Sequence, residues 1–423
     1  MRIRFYNGRL LSMADGAAIT TDEVWVQDGR IVYVGGAKQS SEPWDREINL
    51  NGNLLMPGFK NAHTHSAMTF LRSYADDLPL LDWLNKQVFP MEAKLTPDDV
   101  YHLSKLAILE YLSGGTTANF DMYMFPEANS AASVDMGFRT VLCGCIHDFY
   151  NTPENLHKMY ETYNNAGELL SCELGFHAEY TCSDELLREL AKLAEAHKAP
   201  MYTHNSESRR EVEECIHRRG TTPTAFLDSM GLFAYGGGGY HCVHMSEEDL
   251  HIMQSRGLWA VSNPGSNTKL ASGIAPLVQM QKMGIGLALG TDGPASNNCL
   301  DMFREMFLAT GLQKLAADDA AAMDAVSVLQ MATTGSARAM RLFDCDVIAK
   351  GKKADLIVID LQRPNMQPEN NIAKNLVYSG SKENVKLTMV NGRILYENGS
   401  FYVGEDVGNI YKKANEIITR MRG

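Results

Sequence analysis

Between about residue 57 and residue 345, short apolar runs ending in polar residues alternate with amphipathic stretches, and this alternation most constrains what the chain can fold into. A parallel strand must be followed by a crossover, usually a helix, so repeated runs of this kind predict β-α units around a parallel sheet. Eight runs read as strands: 56–65, 116–122, 140–146, 172–177, 199–205, 239–244, 259–263 and 285–292. The helices between them carry start and stop signals. Thr96-Pro97-Asp98-Asp99 supplies a cap, a first-turn proline and early acids, and Gly114-Gly115 ends that helix. Ser183 opens another, in which Leu186, Leu187, Leu190, Leu193 and Ala194 recur at helical spacing. Ser246-Glu247-Glu248-Asp249 has the capping-box pattern. Eight such units predict a closed (β/α)8 barrel of the TIM type over residues 57–345.

The two ends of the chain read differently. Residues 1–56 and 346–423 hold short alternating segments (24–26, 31–34, 354–360, 387–396) broken by turn pairs such as Asp28-Gly29, Asn51-Gly52 and Asn391-Gly392. Because they flank the barrel, they predict one small β-sandwich domain assembled from both termini, with a helix at the C-terminus. No apolar run is long enough to span a bilayer, and the first residues lack the apolar core of a secretory leader, so a cytoplasmic protein with no membrane role is expected. The net charge of −12 opposes binding to a polyanion, which excludes nucleic acid as the expected partner. The eight cysteines are scattered with no C-x-x-C pair and are expected to be reduced, mostly packing residues, Cys143 and Cys145 included.

Function is pointed to by where the polar residues fall. His63 and His65 close the first run, His177 the fourth, His204 the fifth, His241 the sixth and Asp292 the eighth. In a barrel these C-terminal strand ends meet on one face, the face that carries catalytic groups. H-x-H in an extended strand places both imidazoles on the same side, and with His204 and Asp292 they make three nitrogens and one oxygen. That set suits one catalytic zinc or iron ion with a position left for water, whose proton is lost near neutral pH once bound. Glu207, three residues after His204 in a strand-to-helix loop, is placed to carry protons. His241 is better used to steady a developing tetrahedral centre than as a further ligand. His244 reads as a core or supporting histidine. Among the rest, only His147, at the end of the third run, reads as a pocket residue.

Longer motifs sharpen this reading. Pro57-Gly58-Phe59-Lys60-Asn61-Ala62-His63-Thr64-His65, Ala75-Asp76-Asp77-Leu78-Pro79-Leu80, His241-Cys242-Val243-His244, Ser266-Asn267-Thr268-Lys269-Leu270 and Gly290-Thr291-Asp292-Gly293 through Ser296-Asn297-Asn298 together resemble the amidohydrolase superfamily. Within it they resemble the 5-methylthioadenosine/S-adenosylhomocysteine deaminases and their chlorohydrolase relatives. Gly351-Lys352-Lys353-Ala354-Asp355-Leu356 resembles the re-entry into the small β domain of such enzymes. The resemblance implies metal ligation by His63, His65, His204 and Asp292, and proton transfer by Glu207 to the purine ring and the leaving ammonia. It also implies ribose recognition by Glu92 and contact of His177 with the bound nucleoside.

What it implies overall is hydrolytic deamination at C6 of an adenosine-type nucleoside by an enzyme holding one divalent ion, zinc before iron. A homo-oligomer acting on small-molecule nucleosides is expected. Relatives that take S-adenosylhomocysteine are expected to carry arginines just after the third strand, suited to a carboxylate. Here that stretch is Cys143-Gly144-Cys145-Ile146-His147-Asp148 and residues 149–155, without arginine, which points to neutral 5′ groups: adenosine, 5′-deoxyadenosine or 5′-methylthioadenosine. Asn205-Ser206 stands where a more apolar pair is usual in such relatives. The rival readings are a deaminase of guanine or another heterocycle, a triazine chlorohydrolase, and a non-enzymatic scaffold. The absence of a lysine from Leu174-Gly175-Phe176-His177 counts against a two-metal site.

Overall fold

The computed structural model describes all residues except Ala75 and Pro79, with Leu80 and Leu81 described by backbone alone, so part of the Ala75-to-Leu80 motif lies outside the described residues. Among the described residues, eight parallel strands follow one another in chain order round one sheet. They are β1 (Phe59–Thr64), β2 (Thr116–Asp121), β3 (Arg139–Cys143), β4 (Leu170–Ala178), β5 (Met201–Asn205), β6 (Gly237–His241), β7 (Trp259–Ser262) and β8 (Gly286–Leu289). The seam between β8 and β1 is closed just past the end of β8. Thr291 N donates to Asn61 Oδ1 at 2.9 Å, Asn61 Nδ2 to Thr291 Oγ1 at 2.7 Å, and Asp292 N to His63 O at 3.0 Å. Inside the barrel pack Ala62, Ala118, Phe120, Val141, Cys143, Tyr202, Tyr240, Val261 and Ala288. Side chains fill this interior, as a barrel of eight strands allows.

All eight expected strands are present, with ends moved by a few residues, and the first is divided. Its leading residues form the strand Leu54–Pro57, which pairs antiparallel with Leu356–Ile359 and belongs to a different sheet. The break falls at Gly58, whose N–H turns to Asp355 O at 3.0 Å. A Cβ at Gly58 would stand 2.1 Å from Thr117 Cγ2, so only glycine lets the chain pass there from one sheet into the other. The helices keep their predicted caps: Thr96 and Asp99 form a capping box on Pro97–Ser113, Ser183 caps Asp184–His197, and Ser246 and Asp249 box Glu247–Arg256.

Two sheets stand beside the barrel. Arg2–Tyr6, Glu23–Gln27, Arg30–Gly35 and Arg46–Asn49 make one; the strand Leu54–Pro57 joins Leu356–Ile359, Val385–Val390 and Arg393–Glu397 in the other. Ile3, Phe5, Val24 and Val26 of the first pack on Leu55, Leu356, Val358 and Met389 of the second, which is a sandwich core built from both termini. The final helix, Val407–Arg422, runs along the barrel helix Pro97–Ser113, with Ile417 and Met421 against Val100 and Leu103 and Arg420 paired to Asp99 at 2.5 Å. All eight cysteines are free, and among the described residues no helix is long and apolar enough to cross a membrane.

Barrel and sandwich are tied by a buried ion pair. Arg139, the first residue of β3, reaches Asp355 through Nε at 2.6 Å and Nη2 at 3.0 Å, and Asp355 also accepts from Asn391 N at 2.8 Å. Burial pushes the Asp355 carboxyl up, but Arg139 outweighs it and holds the group below its ordinary range. Asp355→Ala strands a guanidinium that is 2 % exposed. The expected outcome is a loss of about 3–5 kcal/mol in urea unfolding. A loss within about 1 kcal/mol would show that the pair does not hold the two parts together.

Candidate metal centre

The C-terminal ends of the strands deliver the predicted residues to one place. His63 sits in β1, His65 directly after it, His204 in β5 and Asp292 three residues after β8; one ligand atom from each lies within 4.8 Å of the others. The ring centroids of His63 and His65 are 4.8 Å apart, those of His63 and His204 4.9 Å, and those of His65 and His204 5.4 Å. Tyr240 stacks on His63 at 3.8 Å and fixes its plane. Gly290 admits this arrangement, because a Cβ there would meet His63 Cβ at 2.8 Å.

Hydrogen bonds decide which nitrogens face inward. His65 Nδ1 lies 2.5 Å from Met122 O and His204 Nδ1 2.6 Å from His177 O. A carbonyl can only accept, so both Nδ1 atoms carry the proton and both Nε2 lone pairs are left for a cation. His63 is wholly buried and neither ring nitrogen has a hydrogen-bond partner; its Nε2 stands 3.5 Å from Asp292 Oδ1, at the far limit of hydrogen-bonding distance. An orphaned buried imidazole is costly unless a metal ion satisfies it.

Charge points the same way. Burial pushes His63 down to about 3, which keeps it neutral. Burial opposes the proton on His65 too, but Asp292 Oδ1 at the shorter distance of 3.1 Å outweighs it and draws the ring up to about 9. Without a cation the carboxylate therefore recruits a proton; a divalent ion supplies the same charge to all four groups. Asp292 Oδ2 is held by Ser266 Oγ at 2.7 Å and Ser296 Oγ at 2.6 Å, leaving Oδ1 toward the histidines. These four residues form a site able to hold a divalent metal ion.

Glu207 and His241 border the cluster. His241 Nε2 is 3.8 Å from Glu207 Oε2 and 4.0 Å from Asp292 Oδ2. Its Nδ1 meets Asn267 Oδ1 at 2.7 Å, so Nε2 is turned to the centre. Glu207 Oε1 accepts from Ser272 Oγ at 3.3 Å, and burial raises the carboxyl above its ordinary range although His241 pulls it down. His244 supports this pair at one remove, with Nε2 2.7 Å from the carbonyl of Ser272. Asn205 and Ser206 are buried in a polar knot: Asn205 Nδ2 donates to Thr224 Oγ1 at 2.9 Å, and Ser206 N to Glu211 Oε1 at 2.9 Å. Glu92 accepts from Tyr123 OH at 2.6 Å, and the Tyr123 ring lies 6.2 Å from that of His65. His177 and His147 stand 6.0 Å apart between centroids, both half-buried.

Supporting residues that sequence reading missed include Tyr240, Tyr123, Ser272 and Glu211, whose carboxylate gathers the N–H groups of Ser206, Glu207 and Ser208. None belongs to a spacing pattern that singles it out. Asn267, Ser266 and Ser296 lie in quoted motifs, but only the fold shows what they touch. Asp76, Lys269 and Asn298, from three separate motifs, also meet: Lys269 Nζ lies 2.5 Å from Asp76 Oδ1 and 2.6 Å from Asn298 Oδ1.

Known proteins resemble this chain over nearly its whole length. The amidohydrolase family pattern matches residues 54–395, and the chain belongs to that family. It is 37 % identical to a 5-methylthioadenosine/S-adenosylhomocysteine deaminase of Thermoanaerobacter pseudethanolicus, over 99 % of this chain and all of that one. It is also 37 % identical to a 5′-deoxyadenosine deaminase of Methanothermobacter thermautotrophicus, over 93 % of each chain. Among solved structures, an adenosine deaminase from Xanthomonas campestris with bound zinc superposes with a TM-score of 0.94 at 32 % identity, covering 99 % of this chain and 98 % of that one.

Replacing both serines that hold Asp292, as Ser266→Ala with Ser296→Ala, frees the carboxylate to rotate. Affinity for a divalent ion, read by competition with a chelator, is expected to fall about 10–100-fold with the circular dichroism spectrum unchanged. Unaltered affinity would remove these hydroxyls from the account.

Proposed function

We propose that the chain hydrolytically removes the 6-amino group of an adenosine-type nucleoside with a neutral 5′ group, with His63, His65, His204 and Asp292 holding one zinc ion. The observation that carries the reading is the wholly buried His63, unpartnered on both nitrogens amid two further imidazoles and a carboxylate. A divalent ion held there supplies acidity to a water molecule and positive charge near the reacting carbon. In the reaction, water adds at C6, ammonia leaves, and the inosine analogue is released.

The chain's own residues do the rest. Glu207 lies in a buried wall where Oε1 is engaged by Ser272, so Oε2 is the atom that takes up a proton and returns it to the purine ring and the departing ammonia. Its raised affinity for a proton suits both halves of that task. His241 directs Nε2 at the same space and steadies the tetrahedral carbon as charge develops on its oxygen. Glu92, braced by Tyr123, accepts from ribose hydroxyls, and His177 meets the nucleoside at the mouth. Residues 140–157 contain no arginine or lysine, and Phe149 in that stretch is 95 % exposed, so nothing there is built to pair with an amino-acid carboxylate. In the same reading the chain divides into a barrel, 57–345, and a β domain with the C-terminal helix, 1–56 with 346–423. The scaffold reading is disfavoured by the same ligand set.

Glu207→Gln removes the titrating atom while keeping the shape. Its kcat is expected to fall about 10²–10⁴-fold with metal content unchanged. Turnover at the parental rate would exclude Glu207 as the proton carrier.

With the parent protein, adenosine, 5′-deoxyadenosine and 5′-methylthioadenosine are expected to exceed S-adenosylhomocysteine in kcat/KM by about tenfold or more. Glu92→Ala should lower kcat/KM for those nucleosides by about 10–100-fold and spare any activity on free bases. Ammonia release measures both. Failure to deaminate any nucleoside in the panel with metal bound would overturn the reading, and a preference for guanine or a chlorinated triazine would replace it with a rival.

A further inference from the structure

We infer that the chain carries a second divalent-cation site, held by His157, Glu161 and His197 on the outside of the barrel, for an ion of the zinc class. One ligand atom from each of the three lies within 4.8 Å of the other two. They come from two helices. Pro153–Tyr163, which follows β3, supplies His157 and Glu161, and Asp184–His197, which follows β4, supplies His197 as its last residue. Such helices form the outer ring of a barrel, so this group is separate from the centre at the strand ends.

His157 and Glu161 are four residues apart and so share one helix face. His197 Nε2 stands 2.7 Å from His157 Nδ1, and His157 Nε2 is 3.6 Å from Glu161 Oε2. At 2.7 Å the two facing ring nitrogens share one proton, one donating and the other accepting. An ion takes the place of that proton, which leaves to solvent, once the nitrogens part to about 3.3 Å, the edge of a tetrahedron whose bonds are about 2.05 Å. Both imidazoles are partly exposed and Glu161 is exposed, so a turn about their side-chain bonds supplies the difference and brings the carboxylate on to the third position.

The surroundings favour a cation. His197 ends its helix, where the last carbonyls carry partial negative charge. Lys158, beside His157 in the chain, is drawn away to Glu154 at 2.8 Å, and among the described residues Glu161 has no ion pair with a lysine or arginine. The Tyr160 ring lies 4.8 Å from that of His197 and holds the imidazole against the neighbouring helix. Two imidazole nitrogens and one carboxylate oxygen suit zinc, nickel or copper with room left for water, whereas magnesium takes oxygen ligands. An ion bound here ties together the helices that follow β3 and β4.

The test counts zinc equivalents on the full chain by calorimetric titration, with the parent run beside His157→Ala and His197→Ala. Each variant is expected to bind one equivalent fewer than the parent and to keep the parental turnover. Because the difference between chains is what is read, the result does not depend on what the strand-end centre holds. Glu161→Gln should weaken the same equivalent by about tenfold or more, the least that loss of even a supporting group costs a metal site. Without added zinc the thermal transitions of the variants should stay within about 4 °C of the parent's, so that a lost equivalent is not a lost fold. Added zinc should then raise the parent's transition further than theirs. Equal zinc stoichiometry and affinity in the parent and both alanine variants, or displacement of this equivalent by equimolar magnesium, would overturn the inference.

Discussion

Asp292 stands on the seam where the last strand of the barrel meets the first, and the rest of the site depends on what it does there. Its N–H donates to His63 O, so the bond that helps close the barrel also sets the distance between the carboxylate and His63. One carboxylate oxygen is fixed by two serine hydroxyls and the other faces two imidazoles. Barrel closure and assembly of the candidate metal centre are therefore coupled. The four candidate ligands are separated by up to 229 positions in sequence, from His63 to Asp292, yet the convergence of the strand ends on one face of the barrel brings them together.

The surroundings of the cluster are strained as well as polar. Ser206, His241, Cys242 and Asp292 adopt positive φ values between 48° and 69°, a conformation that costs non-glycine residues about 1–3 kcal/mol each. These are the positions where strands β5, β6 and β8 give way to loops at the centre. The turn after β6 is locked from outside: Cys242 N donates to Asn205 O, and Val243 N and His244 N both donate to Ser206 O. Held in this way, His241 and Glu207 are directed at the same space, which is the preorganisation that their proposed roles require. The buried knot of Asn205, Ser206, Thr224 and Glu211 explains how a polar pair is tolerated beside His204: every member has a partner.

Much of this was legible beforehand, for reasons that are local. Helix caps at Thr96, Ser183 and Ser246 use only neighbouring residues, so they read directly from the chain. Barrel strands read from their apolar runs because both faces are buried. The division of the first strand did not, because Pro57-Gly58-Phe59 is apolar on both sides of the break and only the nearness of Thr117 shows why the chain must turn. The path of the final helix along Pro97–Ser113 was equally hidden: its buried stripe has helical spacing, and spacing does not name the surface that covers it.

For the site, residue identity and spacing were enough to show which side chains could bind a cation, that they fall at strand ends, and that residues 140–157 hold no arginine or lysine. These follow from residue identity and from periodicities of two and 3.6, which belong to single elements. How those side chains are oriented follows from the folded chain. Which histidine nitrogen is free depends on the carbonyls of Met122 and His177, and Glu207 and His241 take their aim from Ser272 and Asn267. Such partners come from other strands and loops, and no spacing along the chain encodes the distance between groups that meet only when the barrel closes.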